Sequence, residues 1–195
     1  FILGIKKLSH PKTARNGNMI SFIGMMIAII ATLIAKHEYE IDFQTIAIGI
    51  IIGTIIGAVF AIKVEMTQMP QMVAIFNGFG GGASALVAAA DFIKNAENLA
   101  NGLPILVGSF EINPIFYGGV VAFSIFVGTL TFTGSFVAFG KLQGFISGQP
   151  IVFFGQQILN ALLALALLSG VVMMAMANYD LHTLFIGIVI ISALL

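Results

Sequence analysis

The sequence lacks cysteine and carries very little charge. Without cysteine the chain can form no disulfide and no Cys-ligated metal or iron–sulfur site. Its 195 residues include eight Lys or Arg and eight Asp or Glu, 8 % of the chain, whereas a soluble domain carries roughly 25 % charged residues. The even balance of charge also excludes the basic surface that binds nucleic acid. The 59 % hydrophobic content and the mean hydropathy of +1.08 therefore indicate an integral membrane protein.

Apolar segments of about the length that crosses a bilayer recur along the chain, since a helix needs about 20 residues to cross ~30 Å of hydrocarbon. They lie at residues 19–35, 43–62, 72–90, 114–140, 158–177 and from 183 onward. The pattern predicts an all-α, polytopic transmembrane bundle with five complete spans, a truncated sixth and the tail of an earlier span. We expect residues 1–195 to be a fragment of one transmembrane domain, with no soluble nucleotide-binding domain.

Charged residues are divided unequally between the loops that join these spans. Six of the eight cations fall in one set of loops, 6–18, 63–71 and 141–157. Seven of the eight acids fall in the other set, 36–42, 91–113 and 178–182. Because cations are retained on the cytoplasmic side of membrane proteins, the first set is predicted to face the cytoplasm.

A stripe of small and polar residues runs along one face of the third span. The stripe comprises Asn77, Gly81, Ser84, Ala88 and Asp91, which follow one another at spacings of four, three, four and three residues. Such spacings place the residues on one helix face. An amide in hydrocarbon costs several kcal/mol unless it is hydrogen-bonded, so Asn77 is expected to face the bundle interior or water. Two interpretations stay open: close packing of a neighbouring helix, and a hydrated path for a small ion or proton.

The fourth span repeats this pattern with hydroxyl side chains. At spacings of four, three and four residues, one face carries Ser124, Gly128, Thr131 and Ser135. One interpretation is that each hydroxyl bonds to a carbonyl of its own helix, as membrane helices tolerate. The other is that this face meets the stripe of the third span across a hydrated core, with water between Asn77 and Ser135.

Glycines also mark where helices can approach one another closely. The second span carries Gly49, Gly53 and Gly57 at four-residue spacing, which predicts helix packing, and we assign the same role to Gly81 and Gly128. The segment GFGGGA at residues 78–83 matches the G-x-G-x-x-A dinucleotide fingerprint. That fingerprint requires a preceding strand and an aqueous helix terminus, so we interpret the match as fortuitous.

Groups that carry out catalysis or bind metals are scarce in this sequence. His10, His37 and His182 are far apart, and none has a partner at metal-ligand spacing. No arrangement of Ser, His and Asp or of paired carboxylates suggests hydrolysis. We therefore predict no catalytic residue and no metal site. No complete span has a titratable residue near its centre, so any proton that crosses here moves on water or on groups outside the fragment.

Three long stretches resemble one known family. They are LSHPKTARNGN in the first loop, KVEMTQMPQMVAIFNGFGGGASALVA across the third span and TFTGSFVAFGKLQG at the end of the fourth. In order and spacing they are similar to the membrane domain of the proton-translocating NAD(P) transhydrogenase, in the part that the beta subunit contributes. In that family the beta subunit begins with one more helix and continues through further helices to a cytosolic NADP(H)-binding domain.

The resemblance implies an enzyme that transfers hydride from NADH to NADP+ and couples this transfer to inward proton movement. NAD(H) and NADP(H) would bind to soluble domains of the assembled enzyme, and this fragment would bind no cofactor. The implied partners are the alpha subunit, the remaining beta-subunit helices with their NADP(H)-binding domain, and lipid. A homodimer of the assembled unit in the bacterial cytoplasmic (inner) membrane is also implied.

The resemblance further points to individual residues. A position in the third span that is often histidine in the family is Asn77 here, and the serine of TFTGS is Ser135. Histidine can pass a proton near neutral pH, whereas asparagine can only form hydrogen bonds or order water. Together with the two stripes, the candidate proton path comprises Asn77, Ser84, Asp91, Ser124, Thr131 and Ser135. The alternatives are a secondary transporter or channel subunit and a non-conducting membrane anchor.

Overall fold

A computed structural model describes residues 2–34, 43–107, 110–150, 152–176 and 180–195. Its helices are α1 (Ile2–Leu8), α2 (Ala14–Ile34), α3 (Phe43–Lys63), α4 (Met69–Ala100), α5 (Pro114–Leu142), α6 (Gln156–Met176) and α7 (Leu181–Leu194). Five helical segments, which include α2 to α6, are long and apolar enough to cross a membrane, and α7 is a shorter apolar helix. The predicted fold class, a polytopic bundle of transmembrane helices, is confirmed.

Two short elements between the helices were not predicted. A 3-10 turn at Met66–Gln68 precedes α4, and an antiparallel hairpin precedes α5, with β1 at Ile105–Val107 and β2 at Phe110–Ile112. The third span also ends later than predicted, because α4 continues from residue 90 to Ala100. In this extension Phe92, Ala96 and Leu99 recur at helical spacing and pack in the core, which makes it an amphipathic helix rather than a loop.

Local capping explains where two of the helices begin. The Asn113 side chain accepts a hydrogen bond from the Ile115 N–H, and Pro114 fits the first turn, so α5 begins there. At α7, the Asp180 carboxylate accepts hydrogen bonds from the His182 N–H and the Thr183 hydroxyl. The hydrogen bond from Thr183 lowers the pKa of Asp180, and the His182 N–H acts in the same direction.

The described residues form two compact units, residues 1–59 and 60–195. In the first unit α1 packs on α2 through glycine, because a methyl group at Gly17 would lie 2.8 Å from the Gly4 carbonyl oxygen. In the second unit α5 contacts α4, α6 and α7. The core of this second unit includes Phe92, whose ring stacks on that of Phe185 with centroids 5.3 Å apart.

The topology predicted from charge can be tested by chemical labelling. The loop 36–42, which holds four of the charges and His37, lies outside the described residues, as do residues 177–179. Single cysteines at Met66 and Ser147 should react with a membrane-impermeant thiol reagent only from the cytoplasmic side, and one at Asn98 only from the opposite side. Because the chain has no cysteine, each label reports one position. Reaction from the wrong side at any of the three would contradict the predicted alternation.

Candidate functional site

Helices α4 and α5 pack closely against each other, and candidate residues predicted from the sequence meet at their interface. A methyl group at Gly128 would lie 2.7 Å from both the Gly81 carbonyl oxygen and the Ala85 amide nitrogen. One at Gly81 would lie 2.8 Å from the Gly128 carbonyl oxygen. Gly81 and Gly128 therefore lie where the two backbones touch, which is how small residues act at membrane helix interfaces.

The glycine ladder of α3 differs from this pair. Among the residues that the structure describes, no atom lies within 4 Å of a methyl group placed at Gly49, Gly53 or Gly57. Their role in helix packing stays a prediction.

Asn77 and Ser135 meet directly across the α4–α5 interface. The Asn77 amide donates a hydrogen bond of 2.8 Å to the Ser135 hydroxyl oxygen, and Ser135 is only 9 % exposed. The expected water between these two side chains is therefore absent from this geometry, because a 2.8 Å contact leaves no space for one. The two side chains come this close because residue 78 is glycine: a methyl group there would lie 3.2 Å from the Ser135 Cβ.

The other hydroxyls on these helices mostly bond within their own helix. Ser84 donates to the Gly80 carbonyl oxygen at 3.0 Å, and Ser124 donates to that of Val120 at 2.8 Å. In the hydroxyl stripe of the fourth span, Ser124 thus bonds to a carbonyl of its own helix, whereas Ser135 bonds directly to Asn77 across the interface. Since Ser84 and Ser124 use their protons on the backbone, their oxygens keep lone pairs that can accept hydrogen bonds from water.

Four of the candidate path residues line one groove on the α4–α5 interface. We call it the polar groove; its volume is about 500 Å³, and its polar side chains are Asn77, Ser84, Ser124 and Thr131. Gly80, Gly81 and Gly128 also line it, which brings backbone close to the space. A groove of this size holds several water molecules, at about 30 Å³ each in the liquid.

Asp91 lies apart from the groove, in a cluster with two residues that the sequence analysis missed. The Tyr117 hydroxyl donates to the Asp91 carboxylate at 2.7 Å, and the Asn95 amide donates to the Tyr117 oxygen at 3.1 Å and to the other carboxylate oxygen at 3.2 Å. Tyr117 is 6 % exposed. We call this the Asp91 cluster. The i, i+4 spacing of Asp91 and Asn95 and the position of Tyr117 early in the next span were the available signals.

Comparison with known proteins decides the family. A family model described as NAD(P) transhydrogenase beta subunit matches residues 1–195. The chain belongs to this family. An NAD(P) transhydrogenase subunit beta from Rhodospirillum rubrum is 41 % identical over 155 residues, which cover 78 % of this chain and 31 % of the relative. The same protein from a named strain of that species gives the same values. This transhydrogenase beta-subunit chain thus spans about a third of the length of the curated relatives it matches.

Family membership confirms the resemblance drawn from the three sequence stretches. It does not by itself assign roles to side chains in the transhydrogenase beta subunit, so the candidate path stays a prediction. Among the described residues, no three His, Asp or Glu side chains come together to hold a metal ion. Polar side chains on the α4–α5 interface gather in two places, the polar groove and the Asp91 cluster.

Proposed function

We propose that this chain forms part of the membrane domain of a proton-translocating NAD(P) transhydrogenase, and that protons pass along the α4–α5 interface. One observation carries the proposal: polar side chains from two otherwise apolar helices converge on one groove, at whose edge Asn77 bonds to Ser135. Polar groups at membrane depth are costly and mark ion or proton pathways. Membership of the beta-subunit family supports the same function.

Water in the polar groove carries the proton in this proposal. Serine and threonine hydroxyls and the Asn77 amide both donate and accept hydrogen bonds, so they can hold water molecules in a continuous row. None of them releases a proton near neutral pH. Asn77 therefore orders water, and its bond to Ser135 fixes the position of the amide.

Asp91 is the one carboxylate among the residues of the proposed path. Its carboxylate accepts hydrogen bonds from Tyr117 and Asn95, which fix its orientation beside α5. The predicted topology places this end of α4 on the non-cytoplasmic side, so the Asp91 cluster lies at the non-cytoplasmic entrance of the proposed path. An inward proton then enters the interface from the Asp91 cluster and reaches the polar groove.

Hydride transfer takes place elsewhere in the assembled enzyme. NAD(H) and NADP(H) bind to soluble domains of the alpha subunit and of the rest of the beta subunit, and the remaining membrane helices complete the bundle. In the membrane, lipid and partner helices surround this chain. The assembled unit is a homodimer in the bacterial inner membrane.

The proposed function is tested with the full assembled enzyme in sealed vesicles. We expect an imposed proton gradient to accelerate NADPH formation from NADH and NADP+, and a protonophore to remove that acceleration. The driving force is substantial, because each charge gains about 2.3 kcal/mol per 100 mV. Hydride transfer that is indifferent to the gradient would contradict the proposal. Proton flux that needs no nucleotide would instead favour a channel.

A further inference from the structure

The two polar regions of the α4–α5 interface are separated along the helices. The helices are antiparallel: Asn77 bonds to Ser135, and further along α4 Asp91 bonds to Tyr117, which is earlier in α5. Counting inward from these two bonds places Ala88 of α4 opposite the turn of α5 that contains Val121. Ser84, in the polar groove, and Asp91 are seven residues apart, roughly 10 Å at 1.5 Å per residue.

An apolar layer fills this separation. Residues 85–90 read ALVAAA and residues 118–123 read GGVVAF, so neither segment carries a polar side chain. Ala88 and Val121 are 8 % and 5 % exposed, and both belong to one cluster of buried residues that also contains Ala122 and Ile125. Between the Asp91 cluster and the polar groove, these two segments therefore offer water no side chain that can form a hydrogen bond.

We propose that this apolar layer, defined by Ala88 and Val121, is the gate of the proton path. The proposal rests on the proposed function, since it presumes that protons use the α4–α5 interface. Water in an apolar cavity without hydrogen-bond partners is unfavourable, so the closed layer blocks a proton on either side. Conduction then requires α4 and α5 to separate at Ala88 and Val121 far enough to admit water.

The position of the layer suits a gate because an interhelical hydrogen bond lies on each side of it. The Tyr117–Asp91 bond joins the helices on one side, and the Asn77–Ser135 bond joins them on the other. Between these bonds the contact is apolar, so it can open and close without breaking a side-chain hydrogen bond. A continuous polar interface would conduct protons at all times and would uncouple the enzyme.

A matched pair of substitutions on α5 tests the gate. Val121→Thr keeps the shape of the side chain and adds a hydroxyl within the layer, whereas Val120→Thr adds the same group at a site that is 49 % exposed. The assay follows decay of a pH gradient in vesicles that contain the full enzyme, without nucleotides. Val121→Thr should raise the passive proton flux roughly fivefold, the factor that one hydrogen bond of about 1 kcal/mol gives. Val120→Thr should match the wild type.

A second substitution keeps the test decisive if Val121→Thr fails to assemble. Ala88→Ser adds one oxygen to the opposite helix and should raise the flux in the same way. Wild-type flux in an assembled Val121→Thr or Ala88→Ser enzyme would overturn the gate. The proposed path fails separately, if Asn77→Leu leaves gradient-driven proton uptake unchanged. If Asn77→Leu loses proton uptake but Val121→Thr shows no added leak, the gate is refuted and the proposed path is not.

Discussion

Gly128→Ala should force α4 and α5 apart. The added methyl group would lie 2.7 Å from the Gly81 carbonyl oxygen and from the Ala85 amide nitrogen. Both are backbone atoms of the neighbouring helix, so no side chain can rotate away to make room. Overpacking of this kind costs about 1–3 kcal/mol, and we expect a lower unfolding temperature for the assembled enzyme in detergent, together with impaired proton pumping.

Gly134→Ala is the matched control on the same helix. A methyl group there meets no atom within 4 Å among the described residues, and alanine is favoured over glycine inside a helix by up to about 1 kcal/mol. This variant should be as stable as the wild type or more so. Equal unfolding temperatures for Gly128→Ala and Gly134→Ala would show that α4 and α5 do not touch at Gly81 and Gly128.

Asn77→Leu should strongly reduce hydride transfer that depends on the proton gradient. Leucine keeps roughly the volume of asparagine but removes its hydrogen bond to Ser135 and the polar group with which, in the proposal, Asn77 orders water in the polar groove. The loss of one or two hydrogen bonds raises the barrier to proton passage by about 1–2 kcal/mol, which lowers the rate roughly five- to thirtyfold. Steady-state reduction of NADP+ by NADH in energised vesicles measures this rate.

The same variant should retain hydride exchange that is confined to the soluble domains, because no residue of α4 takes part in nucleotide binding in this proposal. Asn77→His provides the contrast. An imidazole titrates near pH 6.5 and can pass a proton, so this variant should keep more coupled activity than Asn77→Leu and show a new dependence on pH. Identical behaviour of the two variants would argue against a role of position 77 in proton passage.

The helices and their polar faces were predictable from local pattern. Hydropathy located the five spans, and the spacing of Asn77, Gly81 and Ser84 placed these residues on one face, because both properties belong to a single helix. The distance between the faces of two helices, in contrast, depends on both helices. A methyl group at position 78 would lie 3.2 Å from the Ser135 Cβ, so glycine there lets α5 come close enough for Asn77 to reach Ser135. The spacing of residues within one helix cannot reveal this approach.

The extension of α4 and the Asp91 cluster were missed for related reasons. Asp91, Lys94 and Glu97 made residues 91–100 read as a loop, although Phe92 and Leu99 carry the periodicity of a helix that packs outside the apolar span. Tyr117 contacts Asp91 only because α4 and α5 are antiparallel in one particular register. That register is set by packing around Gly81 and Gly128, and tertiary packing of this kind cannot be read from either segment alone.

Proton uptake into vesicles tests the central claim most directly. The assembled enzyme, wild type or Asn77→Leu, is reconstituted at equal amounts, and the uptake that accompanies hydride transfer is followed with a pH-sensitive dye. If protons pass along the α4–α5 interface, uptake in Asn77→Leu should fall close to the level without nucleotides while the protein remains assembled. Wild-type uptake in that variant would contradict the account and would leave the polar stripe of α4 with a role in helix packing alone.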